Sequence, residues 1–116
     1  MIGDSRNNVI VDKSFSFAIK IVAICELLDK RRKFVISNQL LKSGTSIGAC
    51  VREAQGAESK ADFIHKLKIA FKEAEETEYW LLICKYSANY PFDEKLLEEN
   101  SELMRILSKI IISSKE

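Results

Sequence analysis

The stretch Leu40-Leu41-Lys42-Ser43-Gly44-Thr45-Ser46-Ile47-Gly48-Ala49-Cys50-Val51-Arg52-Glu53-Ala54-Gln55 reads as a helix built around small residues. Gly44 and Gly48 are four apart, so a helix stacks them on one face. A glycine inside a helix is less favourable than alanine by roughly 0.5–1 kcal/mol. Two of them in one helix imply that something else comes close, and a second helix is the natural candidate. Ile36, Leu40, Gly44, Ile47, Val51 and Ala54 step by four, four, three, four and three. That spacing marks a core-facing stripe, and the glycines lie on or beside it. The helix is expected to begin near Ser37 or Asn38 and to stop at Gly56.

Downstream, Ser59-Lys60-Ala61-Asp62 resembles a capping box and opens a third helix. Phe63, Leu67, Ala70, Ala74, Thr77, Leu81, Cys84 and Ala88 alternate steps of four and three without a break. This heptad-like seam predicts a helix running to about Asn89, roughly 40 Å long. Pro91 forbids simple continuation. A fourth helix then carries Leu96, Leu103, Leu107 and Ile110 on one line, interrupted by Asn100 as a polar register residue.

Upstream, residues 1–11 look like a loose polar arm and are expected to be flexible, leaving 12–116 as the bundle domain. Asp12 is the expected cap of the first helix. That helix carries two apolar stripes: Phe15, Ala18, Val22 and Cys25, and beside it Phe17, Ile21, Ile24 and Leu28. Two stripes exceed the need of a single bundle seam. Phe17, Ile21 and Ile24, with Trp80 on the third helix, are therefore the expected oligomer interface. The helix ends at Lys30-Arg31-Arg32-Lys33, where cations suit the negative end of the helix dipole. Four amphipathic helices joined by short turns predict an all-α fold, an antiparallel up-and-down four-helix bundle.

The composition fits one such domain: 116 residues, 47% hydrophobic, 30% charged, four glycines and one proline. The formal net charge of +1 argues against a strong non-specific nucleic-acid binder without excluding a local basic patch. Lys30, Arg31, Arg32, Lys33 and Lys42 are the candidate residues for such a contact. No apolar run reaches the ~20 residues of a membrane span, and the N-terminus has no apolar signal region. Cys25, Cys50 and Cys84 follow neither a disulfide nor a zinc spacing. A cytoplasmic protein with reduced thiols, and without membrane contact, is the expectation.

Catalytic groups are few. His65 is the single histidine, so multi-histidine metal sites are excluded, and so is the paired Glu-x-x-His pattern of di-iron bundles. No phosphate-cradling glycine loop is present. A Cys50–His65 nucleophile–base pair has nothing in the sequence to bring it together. Glu78 lies beside the core seam and needs a partner, for which Arg52 or a tyrosine hydroxyl is a candidate. Glu53 raises the same question. No catalytic, metal or cofactor site is assigned.

The segment from Asn38 to Ala49, followed by Glu53-Ala54, resembles the signature of the S23-type four-helix bundle proteins. These are encoded by intervening sequences of bacterial 23S ribosomal RNA genes. Ser59-Lys60-Ala61-Asp62-Phe63, Lys66-Leu67, Ala70, Lys72-Glu73-Ala74 and Glu78-Tyr79-Trp80-Leu81 are similar to its second block. The likeness covers roughly residues 13 to 112. It implies an up-and-down bundle assembled as a homopentamer and without enzymatic activity. It also implies kinship with the accessory variability protein of diversity-generating retroelements, a basic pentamer that binds nucleic acid and a reverse transcriptase. Cys50 stands where that family usually has Asn, and the near-neutral charge departs from the retroelement relative. The expected function is a homo-oligomeric accessory protein associated with structured RNA; the alternative is an adaptor that binds only protein.

Overall fold

Helix boundaries follow from the caps. The computed structural model describes residues 5–116 and holds four helices: α1 Ser5–Lys30, α2 Phe34–Gln55, α3 Lys60–Tyr86 and α4 Glu94–Ser114. At the start of α3 the Ser59 hydroxyl accepts from the Asp62 amide at 3.0 Å. That bond satisfies a free first-turn donor, and the Asp62 carboxylate reaches back to accept from the Glu58 amide just outside the helix. Asp93 caps α4 in the same way, accepting from the Lys95 amide. α3 ends at Tyr86, three residues before Asn89, because Ser87 turns extended and Asn89 takes a left-handed backbone with φ 65°.

Each helix packs on its chain neighbour, and α1 closes the ring on α4; the backbones of the diagonal pairs stay apart. The α1–α2 pairing is antiparallel. Cys25 lies opposite Ser37, Ile21 opposite Gly44, Ser14 opposite Gly48 and Asn7 opposite Gln55. Ser43–Thr77 with Glu53–Lys66, Ala74–Asn100 with Lys85–Glu94, and Lys13–Glu102 with Lys20–Glu99 give the same sense to the other three seams. The result is an all-α four-helix bundle, 46 × 21 × 18 Å.

The α3 seam from Phe63 to Cys84 is buried at every predicted position. Ala88 falls past the helix and is exposed. In α2 Leu40, Gly44, Ile47, Val51 and Ala54 are buried. The helix begins at Phe34, one turn before the predicted Ser37. A Cβ on Gly44 would stand 2.8 Å from the Ile21 side chain, and one on Gly48 would stand 3.3 Å from the Ser14 carbonyl oxygen. The partner that comes close to both is α1.

Two expectations for α1 are corrected. Residues 5–11 are helical rather than a flexible arm, and Asp12 sits exposed inside the helix instead of capping it. The reason is tertiary. Asn7 and Gln55 exchange amide hydrogen bonds at 2.6 and 3.1 Å, and Ile10 is fully buried. Residues 1–4 of the expected arm lie outside the described residues. The second correction concerns Phe17, Ile21 and Ile24, expected at an oligomer interface. They are 2%, 0% and 8% exposed and line the bundle's own interior. With Ile10, Ser14 and Leu28 they form the α1 stripe that enters the core. The other stripe divides: Phe15 and Val22 are exposed, Ala18 is half-buried and Cys25 is buried, while Ile19, on neither stripe, is exposed as well.

Candidate nucleic-acid interface

The basic run is shaped by how α1 ends. Arg32 occupies a left-handed backbone at φ 62°. Its amide donates to the Asp29 carbonyl at 2.9 Å, and the Lys33 amide donates to the Leu28 carbonyl at 2.9 Å. This is the Schellman pattern, with arginine in the place usually held by glycine. The tight turn leaves Lys30, Arg31 and Arg32 exposed and Lys33 half-buried.

An antiparallel bundle puts the α1–α2 and α3–α4 turns at the same end, and side chains join them here. Arg31 Nη1 donates to the Asn89 carbonyl at 3.4 Å. The Lys33 ammonium stands 4.7 Å from the centre of the Tyr90 ring, within cation–π range. Arg32, Lys33, Phe34, Val35, Ile36 and Tyr90 line a cleft of about 300 Å³. Lys13, Lys20, Lys66 and Lys85 all form ion pairs with glutamates. Among the described residues none of Lys30, Arg31, Arg32 and Lys33 has a carboxylate partner. Their charge is therefore not neutralised locally, although Asp29 is adjacent in sequence.

Lys42 is not part of this end. It stands two turns along α2, about 12 Å beyond Phe34, where its charge opposes that of Glu73. Phe34 and Tyr90 were not among the residues selected from sequence, where Tyr90 read only as part of a turn. Their signal was present: aromatics flank a basic run, and up-and-down topology places both turns together.

The other candidates separate. Trp80 is half-buried, and its indole N–H donates to Glu76 at 3.0 Å while its ring meets Tyr79 edge-on at 5.1 Å. Its polar edge is thus satisfied within α3. Cys50 is half-buried on α2; its thiol is pushed up by burial and then by Glu53 and Glu73. A reactive thiolate needs the opposite shift. His65 is exposed on α3, and no hydrogen bond links it to Cys50 among the described residues. Arg52 lies 5.3 Å over the Phe15 ring instead of meeting Glu78. Glu53 is paired with Lys66 at 3.3 Å. No metal-holding group of His, Cys, Asp and Glu occurs among the described residues, and no helix is long and apolar enough to cross a membrane.

With this geometry the chain can be placed among known proteins. A family model described as 23S rRNA-intervening sequence protein matches residues 6–113. The chain belongs to that family. The 23S rRNA-intervening sequence match begins at Arg6, inside the first turn of α1, so the helical N-terminal segment is part of the family's domain. Among solved structures the chain is similar to a protein of unknown function from the S23 ribosomal protein family of Bacteroides thetaiotaomicron VPI-5482. The two share 46% identity over 91% of this chain and 97% of that one, with a TM-score of 0.86. A search of curated proteins returns no match.

Proposed function

We propose that this family member is a non-catalytic, homo-oligomeric bundle that associates with RNA through its α1–α2 turn. One observation carries the reading. Four consecutive cations, without carboxylate partners among the described residues, stand at one end of the bundle, and two of them, Arg31 and Lys33, are tied to the neighbouring turn. A net charge of +1 gives a single copy little long-range attraction for phosphate. A ring of copies, the pentamer implied by the family resemblance, repeats the cationic turn and adds avidity without a basic monomer. Phe15, Ile19 and Val22 on α1 and Leu41 on α2 are exposed and offer apolar area for such assembly.

Filter binding to a structured RNA tests the reading. Retention should fall steeply between about 50 and 200 mM salt and should drop in the double variant Arg31→Ala, Arg32→Ala. Absent or salt-insensitive retention would overturn it. Light scattering should give a multiple of the monomer mass, and Ile19→Asp should lower it. The exposed α1 residues also favour a second reading, a protein-only adaptor. A multimeric mass with no RNA retention would select that one.

A further inference from the structure

We infer that the basic end takes single-stranded nucleic acid, with an unpaired base stacked against Phe34 and Tyr90. This rests on the reading of the α1–α2 turn as a polyanion contact and narrows its ligand. A contact for phosphate alone needs only cations. Here the cations border a cleft whose other walls are rings and aliphatic side chains. Phe34 is 53% exposed and Val35 75% exposed, directly after the basic run in sequence. Folding does not bury them, yet they follow four charges that draw a phosphate backbone to their position.

Tyr90, from the α3–α4 turn, also lines the cleft. Lys33 lies over one face of its ring at 4.7 Å from the centre, so a stacked base takes the other face. About 300 Å³ is room for single ring systems rather than for a helix. A duplex presents phosphates and groove edges, with its base faces covered by stacking. Only unpaired bases offer a face to an aromatic side chain. Arg32, which lines the cleft, and Arg31, one residue before it and held on the Asn89 carbonyl, can meet the phosphates on either side of a base held in this way. Tyr86, 78% exposed in the last turn of α3 at the same end, gives a further platform along a strand's path.

The test is fluorescence anisotropy on the full chain with two labelled RNAs of equal phosphate number, an unstructured single strand and a blunt-ended hairpin whose loop is a base-free glycol linker, so that it carries no unpaired base. Inorganic polyphosphate serves as a base-free competitor. The single strand is expected to bind on the order of tenfold tighter than the hairpin, since base–aromatic stacking is worth roughly five- to 150-fold per base. Phe34→Leu and Tyr90→Ala should remove that preference while leaving hairpin binding within about twofold, and Phe34→Tyr should keep it. Arg31→Ala should weaken both RNAs alike. Equal affinity for strand and hairpin overturns the inference but leaves the polyanion reading standing. So does polyphosphate that competes, per phosphate, as well as the strand. Absence of binding by every probe overturns both.

Discussion

Asn100 on α4 donates from its side-chain amide to the backbone carbonyl of Ala74 on α3 at 2.9 Å, while its own Oδ1 is buried without a partner. The amide crosses the helix pair inside the core, at 0% exposure. It satisfies half of its hydrogen-bonding capacity there, and a buried polar atom left unmade is unfavourable by about 1–3 kcal/mol. Asn100→Val is therefore expected to raise stability by about 1 kcal/mol. A urea titration should show a higher midpoint with an unchanged slope. A loss of similar size would show that Oδ1 is satisfied in solution. The same substitution should loosen the α3–α4 register, the property a buried polar residue secures in bundled helices.

The glycines of α2 give an ordered pair of variants. Gly44→Ala places its methyl 2.8 Å from the two γ carbons of Ile21, which is fully buried. Overpacking of this kind is unfavourable by about 1–3 kcal/mol, more than the roughly 0.5–1 kcal/mol gained in helix propensity. Gly48→Ala meets the Ser14 carbonyl at 3.3 Å and should lose less. Combining Gly44→Ala with Ile21→Ala should be better than additive, and a thermal double-mutant cycle measures the coupling.

Arg32 provides a variant in which stability and binding move oppositely. A left-handed backbone disfavours any residue with a Cβ by about 1 kcal/mol. Arg32→Gly should therefore raise the melting temperature, whereas Arg32→Ala should leave it nearly unchanged. Both remove one cation, and both should lower RNA retention. A glycine variant that melts lower would show that the Arg32 side chain holds the turn.

The thiols predict alkaline behaviour. Burial pushes Cys25 from its ordinary 9 up to about 11, against a smaller lowering by Ser37, and burial raises Cys84 too. An acid whose pKa is raised by folding holds its proton more tightly in the folded chain. Its contribution is full below about pH 9 and is lost as pH rises through about 11. For two pH units the linkage amounts to about 2–3 kcal/mol. Urea midpoints compared near pH 8 and near pH 11 should converge in Cys25→Ala relative to the parent chain. Equal declines in both would mean that Cys25 already ionises in the native state.

What the sequence revealed depended on contrast between faces. In α3 every second-choice line is charged, so the run from Phe63 to Cys84 had no rival and proved buried throughout. In α1 both stripes are apolar. Periodicity alone cannot say whether Phe15 or Phe17 turns inward, and burial of the Phe17 line reversed the expected interface. The segment Ser5–Val11 looked unstructured because its polar residues suggest solvent. Asn7 is buried only because Gln55, 48 residues away, supplies a matching amide, and local composition carries no trace of that. The basic run was legible as charge, but its aromatic neighbour Tyr90 arrives from another turn. Lys42 shared the run's chemistry and not its location.

The ring of helices is closed by a single junction that no turn stitches, the one between α1 and α4. It is also the loosest of the four. Clefts of about 240 and 380 Å³ lie along it, and the exposed pairs Lys13–Glu102 and Lys20–Glu99 bridge it. Such pairs contribute little in water. The first and last helices meet across nearly the whole chain, so closing this junction carries the largest loop-closure cost of the four. Native-state breathing therefore starts at this edge, and amide protons of α1 and α4 should exchange with deuterium sooner than those of the α2–α3 hairpin.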